Sequence, residues 1–369
     1  MQFRVIDADE AERFDEFMQS TPNGHIFQSY LWGEVKKPVW EPIRVILEED
    51  SRIVAAASIL KRRIPLLRKT FFYLPRGPVL LDWYDRQAFD QLIVCLRTLA
   101  RQHRAVFIKI DPCLSDLHYD AVALLRQTGF ITPLGKHEFG GLQPRYTFCL
   151  DISGDKEDIM SGFSKKTRYK IRYGLSKGIR FESPGEKGLE LFLKVMRETG
   201  RRGDFVVRNL SYYQKVYRTL AARDAVNLTI GYLNGEPVTA GITFAFGDKA
   251  WAVYGGQSDR FRNVYAYHAM IWERIKWAKD RGARWFDFYG VPGEVSEDHP
   301  LYGIYHFKKS FGGDYFAFIG EKDLILSPVY YWLWIHLFPA ARNILLQIIK
   351  LRRFLIPSWI GRGKAVTRL

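Results

Sequence analysis

Cysteine is scarce in this chain of 369 residues, with three in all. Cys95, Cys113 and Cys149 fall in apolar surroundings, at spacings that match neither a disulfide framework nor a zinc site, which points to a reducing compartment. A leading apolar run of signal-peptide length is missing as well. The chain opens MQFRVIDADEAERFDEF, so the expectation is a cytoplasmic protein. The histidines are scattered, and the nearest pair, His299 and His306, has no carboxylate or cysteine at ligand spacing; no metal is assigned. No Gly-x-Ser-x-Gly elbow occurs, which leaves a covalent acyl-enzyme unsupported. Pro328 and Pro339 divide the most apolar stretch into pieces shorter than the ~20 residues that a membrane span requires.

Positive charge is abundant, with Lys and Arg at 55 against 40 Asp and Glu, a formal net charge of +15. The surface field therefore favours polyanions such as nucleic acid, phosphorylated metabolites or anionic headgroups. Hydrophobic residues at 47% and charged residues at 26% describe a folded chain, long enough for two domains. Aromatic residues make up 15%, and most are expected in cores.

An internal repeat organises the sequence. Residues 42–60 read as a hairpin turning at Glu49-Asp50-Ser51, and residues 227–246 as a second, turning at Asn234-Gly235. Each is followed by an amphipathic helix, 88–102 and 266–279, that feeds a short strand, 105–111 and 284–290. Gly140-Gly-Leu-Gln-Pro144 reads as a linker and Tyr146–Ile152 as the next strand, which places a boundary near 145. The fold class expected is mixed α/β, two tandem domains of acetyltransferase (GNAT-like) type.

Coenzyme A binding in that fold uses a glycine-containing loop whose N–H groups reach the pyrophosphate. Arg260–Tyr265 has no glycine, and Gly77-Pro-Val-Leu-Leu-Asp82 follows its glycine with a proline that lacks the donor. Coenzyme A use is disfavoured, and an N-acyltransferase of that type is the second reading. A basic segment, Ser164-Lys-Lys-Thr-Arg-Tyr-Lys-Ile-Arg-Tyr173, would as a helix group Lys165, Arg168, Tyr169 and Arg172, a face suited to an RNA backbone or to solvent. A non-catalytic RNA-binding protein is the third reading.

Gln28-Ser-Tyr-Leu-Trp-Gly33, Gln143-Pro144, Lys166-Thr-Arg-Tyr169, Asp287-Phe-Tyr-Gly290 and Phe307-Lys-Lys-Ser-Phe-Gly-Gly313 occur in that order. Together they resemble the Fem family of peptidoglycan-bridge aminoacyltransferases, from about Gln28 to about Tyr330, with the last element the most specific. The resemblance implies transfer of an amino acid from aminoacyl-tRNA to the stem-peptide amine of UDP-MurNAc-pentapeptide or lipid II, with no cofactor. It also implies GNAT-like domains over 1–145 and 146–314, the first completed by a strand near 315–328. Residues 189–226 are too few for the long helical arm of many members, which favours addition of the first bridge residue.

By the same resemblance Lys308 lies near the transferred acyl group, where an ammonium offsets the oxyanion. Asp111, at a strand end, accepts a proton or orients the amine; Val106 stands where some members carry a tyrosine. Lys36 and Arg208 contact acceptor phosphates, while Tyr212, Tyr254 and Phe307 line the groove. Lys165, Lys166, Arg168 and Arg172 contact tRNA. Residues 329–369, aromatic and then basic, read either as a tail docked on the first domain or as a segment in the inner membrane interface.

Overall fold

The computed structural model describes residues 1–65, 67–133 and 141–337. Its first half carries β1 (Gln2–Val5), β2 (Glu41–Glu49), β3 (Arg52–Ile64), β4 (Lys69–Leu74), β5 (Val79–Leu80), β6 (Ala105–Ile110) and β7 (Phe130–Ile131). Helices α1 (Ala11–Ser20), α2 (Tyr30–Lys36), α3 (Arg86–Gln102) and α4 (Tyr119–Gln127) lie among them. The second half carries β8 (Tyr146–Asp151), β9 (Arg180–Glu182), β10 (Val226–Leu233), β11 (Glu236–Phe246), β12 (Lys249–Gln257), β13 (Trp285–Asp287) and β14 (Asp314–Ala317). Its helices are α5 (Lys156–Gly162), α6 (Lys165–Ser176), α7 (Leu189–Arg202), α8 (Leu210–Ala221), α9 (Ala266–Asp280) and α10 (Tyr302–Lys309).

Both hairpins form where their turn chemistry demands. Asp50 and Ser51 have φ of 46° and 65°, and Asn234 and Gly235 have 52° and 80°, the left-handed pairs that suit the twist of the flanking strands. After each three-stranded antiparallel unit a helix crosses over and the chain returns as a parallel strand: β6 beside β4 by way of α3, β13 beside β12 by way of α9. The repeat read in the sequence is thus a repeat of topology. Side chains set the helix starts, with Asp85 accepting the Ala88 N–H at 2.9 Å and Ser164 accepting that of Thr167 at 3.2 Å.

The first sheet runs β1-β2-β3-β4-β6-β15-β7, where β15 (Lys322–Ile325) comes from the far end of the chain and inserts between two strands of the first half. The second runs β14-β8-β13-β12-β11-β10-β9, so the strand at 314–317 still belongs to it. α7 and α8 pack on the second sheet through Phe192, Met196, Tyr213 and Val216 rather than projecting as an arm.

The sequence division at 145 misses one feature of packing. Ile26, Phe27, Trp32 and Val35, early in the chain, join the second-half core formed by Leu189, Phe192, Phe244 and Trp251. Arg44 of β2 holds α2 from the other side, donating to the Tyr30 carbonyl and to Glu34, each at 2.7 Å. At Gly33 a Cβ would come within 2.4 Å of that guanidinium. α2 is therefore clamped between the halves, which fixes Lys36 at its C-terminal end.

A buried ion cluster secures β15. Lys109 on β6 pairs with Glu321 at 2.9 Å and Asp323 at 2.6 Å, all three side chains at most 8% exposed, while Glu321 also accepts the Leu142 N–H of the linker. Lys109→Ala would leave two carboxylates buried without their cation and should destabilise by about 3–5 kcal/mol. Lys61→Ala, whose partner Glu41 is 59% exposed, should cost no more than ~1 kcal/mol. Denaturant unfolding of the two variants beside wild type measures both.

Candidate active site

Cations and tyrosines from both halves meet at the end of α2. The Lys36 Nζ lies 4.3 Å from the Trp32 ring and 5.5 Å from that of Tyr212, whose hydroxyl it reaches at 3.4 Å. Asn209 caps α8 by accepting the Tyr212 N–H at 3.0 Å, which turns that ring toward α2. The Arg208 guanidinium sits 5.6 Å over the same ring and is exposed. The Tyr212 and Tyr254 hydroxyls are 3.1 Å apart. Burial and the neighbouring phenol hold Tyr254 far above the usual tyrosine range, so it stays a protonated donor. Lys36, Arg208, Tyr212 and Tyr254, from three separate stretches of the sequence, thus form one cluster.

A second group lies near Tyr289, which feels the charges of Arg76 and Asp111. Asp111, just past β6, is 2% exposed; it accepts the Arg76 N–H at 2.6 Å and the Tyr73 hydroxyl at 3.3 Å. The sequence reading gave this carboxylate an incoming amine to orient or deprotonate; the hydrogen bonds it makes in the structure run inward. It acts inward, on the turn carrying Arg76, and the hydroxyl it meets comes from β4, because the sequence position of the missing tyrosine, Val106, belongs to a core cluster with Phe71 and Phe107. Burial pushes Asp111 up to about 7, against the pull of Arg76. Arg76 donates to the Pro144 carbonyl at 2.6 Å and lies 4.0 Å over the Phe318 ring. Gln28 fixes this turn, donating to the Pro75 carbonyl at 2.7 Å.

Lys308, on α10, donates from its ammonium to the carbonyls of Tyr289 and Gly290, the latter at 2.7 Å. An ammonium has three donors, so one remains for a ligand while the lysine is charged. Burial lowers it to about 7, opposed by Asp287 and reinforced by the buried guanidinium of Arg274. Tyr289 stands in the left-handed region at φ 54°, its N–H donating to Asp287 at 2.6 Å and its hydroxyl to Gln143 at 2.7 Å. Phe307 packs beside Tyr267, His268 and Phe311, with ring separations of 5.3, 4.9 and 5.2 Å. Lys36, Tyr212, Tyr254, Tyr289, Phe307 and Lys308 are all part-exposed, and Tyr289, which lies near enough to feel the charge of Tyr212, links the two groups into one candidate crevice.

The basic segment is a helix, α6, and starts against the end of α10. The Ser164 N–H donates to the Ser310 carbonyl at 3.0 Å and Thr167 Oγ1 to Ser310 Oγ at 2.8 Å. Lys165, Lys166 and Arg172 are exposed. Arg168 differs from the sequence reading, since its guanidinium donates to the Ser161 and Phe163 carbonyls at 2.7 and 2.6 Å and so caps α5. A cavity of about 460 Å³ opens beside it, lined by Arg168, Arg172, Lys156 and Trp272 among others.

Sequence reasoning missed Arg76, Tyr73, Arg274 and the roles of Gln28, Gln143 and Tyr289. The motif strings carrying Gln28, Gln143 and Tyr289 were legible, but nothing local in the sequence separates Arg76 from any other arginine. The thiols of Cys113 and Cys149 are held protonated by burial, the first pushed up to about 11, which suits neither to nucleophilic catalysis.

The model of the FemAB family matches residues 10–237 and 234–337. The lipid II:glycine glycyltransferase of Staphylococcus haemolyticus (strain JCSC1435) is 27% identical over 388 residues, spanning 86% of this chain and 92% of the relative. The protein of the same name from Staphylococcus aureus (strain MRSA252) is 26% identical over 390 residues, with the same coverage. Among solved structures, the crystal structure of FemX superposes with a TM-score of 0.84 at 25% identity, over 90% of this chain and 99% of that one. A tandem GNAT protein from the clavulanic acid biosynthesis pathway shares the fold, at a TM-score of 0.54 and 11% identity, over 89% of this chain and 99% of its own. With its repeated topology and its crevice motifs lying within the matched residues, the chain belongs to the FemAB family.

Proposed function

We propose that this protein transfers an amino acid from aminoacyl-tRNA to the stem-peptide amine of a lipid II-type peptidoglycan precursor, adding the first residue of a bridge. The observation that carries this reading is the pair of clusters that the fold assembles. One is the Lys36, Arg208, Tyr212 and Tyr254 group, suited to a diphosphate and its sugar; the other is Lys308 with one donor to spare. The names of the glycyltransferase relatives supply the acceptor class.

The donor is read from α6, whose exposed Lys165, Lys166 and Arg172 lead away from the helix end next to Lys308. Coenzyme A fits less well. α6 lies over the loop ahead of α9, with Gly174 so close that a Cβ would meet the Val264 and Tyr265 carbonyls at 3.1 and 3.3 Å.

In the reaction the free amine attacks the ester carbonyl, the carbonyl oxygen becomes an oxyanion, and collapse breaks the bond to the ribose oxygen. In balance the amine gives up one proton and the ribose hydroxyl takes one. Lys308 donates its third hydrogen to the oxyanion. Asp111 is a positioning residue, keeping Arg76 and Tyr73 in place.

The direct test is transfer of radiolabelled amino acid from a mixed aminoacyl-tRNA pool to lipid II and, separately, to UDP-MurNAc-pentapeptide. Label should reach an acceptor, and Lys308→Ala should lower kcat by about 10²–10³. Absence of transfer by folded protein would overturn the reading. Replacing Lys165, Lys166 and Arg172 by Glu should lower kcat/KM for the donor and flatten its dependence on salt. Binding of RNA that ignores the aminoacyl group would instead favour the RNA-binding reading.

The pH profile follows from two groups near neutrality. An ordinary lysine amine titrates near ~10.4, so free acceptor amine grows with pH throughout this range. Lys308, lowered to about 7, loses its donating proton as pH rises through that value. The two trends cancel above about 7, where kcat/KM should level off, whereas in Lys308→Ala it should keep rising. Asp111 is ionised only above about 7, so Asp111→Asn should make the acid limb shallower.

A further inference from the structure

A helix from 328 to 337 covers one face of the first sheet and turns its other side to solvent. Tyr331 is 6% exposed, and Trp334 packs 4.7 Å from Phe71 and 5.9 Å from Phe107. This start of the tail is therefore docked, and residues 338–369 lie outside the described residues. On the opposite side Val329 is 70% and Trp332 56% exposed, with Ile335 and Leu337 exposed beside them. Cations of the adjoining β3–β4 hairpin frame this surface: the Lys69 Nζ lies 4.9 Å over the Tyr330 ring, Arg62 5.4 Å over Trp40, and Arg68 is exposed in the turn. Among the described residues none of these three cations is ion-paired with a carboxylate.

The patch connects directly to the crevice. Trp40 packs on Phe71 at 5.4 Å, and its N–H donates to the Lys36 carbonyl at 3.1 Å. The apolar and basic surface therefore ends one turn of chain from the cation assigned to the acceptor's phosphates.

We propose that this surface docks peripherally on an anionic lipid bilayer, with Val329 and Trp332 entering the headgroup region and Arg62, Arg68 and Lys69 lying at phosphate level. Aromatic and aliphatic side chains ringed by cations are the complement of such a surface. A second copy of this chain would bring the same cations against these, which disfavours self-pairing. Among the described residues no helix is long and apolar enough to cross a membrane. The functional half of the proposal rests on the lipid-linked acceptor: a diphosphate at the lipid boundary would lie where Lys36 is presented.

Two measurements separate the surface from the reaction. In flotation with the full chain, wild type should rise with phosphatidylglycerol/phosphatidylcholine vesicles and not with phosphatidylcholine alone. Val329→Glu/Trp332→Glu and, separately, Arg68→Glu/Lys69→Glu should each weaken that binding about tenfold or more. All four positions are part-exposed or exposed, and unchanged circular dichroism would confirm folding. Transfer to lipid II held in the anionic vesicles should fall in parallel, with transfer to UDP-MurNAc-pentapeptide unchanged. Equal flotation of variants and wild type would overturn the proposal whatever the chemistry, as would a wild-type dimer that the variants abolish, or a loss of folding that shows residues 338–369 or another part of the chain covering the face. Flotation as expected, with no transfer to either acceptor, would retain the membrane surface and overturn only the reaction.

Discussion

A guanidinium does not shed its proton to escape burial, so wherever the chain encloses one it must bring acceptors to it. Arg76 is 3% exposed, and three separate parts of the sequence answer that demand. Asp111, from the end of the first parallel strand, takes the main-chain N–H and sets its charge against the guanidinium; the Pro144 carbonyl comes from the linker; the Phe318 ring comes from the segment leading back to the first sheet. Gln28 stands behind them, tied to the Pro75 carbonyl and to the main chain of Ser58. Satisfying this buried charge ties the end of the first parallel strand, the linker and the returning segment to a single turn.

The same enclosure tunes the crevice. Desolvation drives the Tyr254 and Tyr289 hydroxyls toward permanent protonation and drives Lys308 toward neutrality, so one environment yields fixed donors and a titratable one. Arg274 deepens the effect on Lys308. It is fully buried, donates to Thr243 at 2.7 Å and to the Ile242 carbonyl at 2.6 Å beside the irregularity in β11, and has no carboxylate partner among the described residues. Backbone geometry contributes too: Tyr289 holds a left-handed conformation, with its N–H on Asp287 and with its own carbonyl and that of Gly290 accepting from Lys308.

What the sequence disclosed was local chemistry. Asn234-Gly235 could hardly be anything but a hairpin turn, the periodicity of 88–102 required an amphipathic helix, and the repeat of hairpin, helix and strand carried the fold class; the helix over 266–279 formed too, but with no exposed face, because α6 packs on it opposite the sheet. The clustering of Lys36, Arg208, Tyr212 and Tyr254 was reachable only through the combined motifs, since each alone reads as an ordinary surface or core residue. Two things were hidden for physical reasons. The membership of Phe27 and Trp32 in the second core depends on contacts across the whole chain, which periodicity does not encode. Arg168 looked like a free cation because spacing reports which face a side chain leaves from, whereas its long stem folds back onto the end of α5.

The insertion of β15 between β6 and β7 has an implication for how the protein is made. Translation delivers β6 and β7 early, yet the strand that joins them emerges only after the entire second sheet has been synthesised. Throughout that interval both strands present unpaired edges, the feature most prone to mispairing in a nascent chain. The second sheet has all of its strands by residue 317, so its pairing can close before that of the first. A ribosome stalled before residue 322 would release a chain with a finished second half and an open first one, and quality control would meet that species rather than a half-length domain.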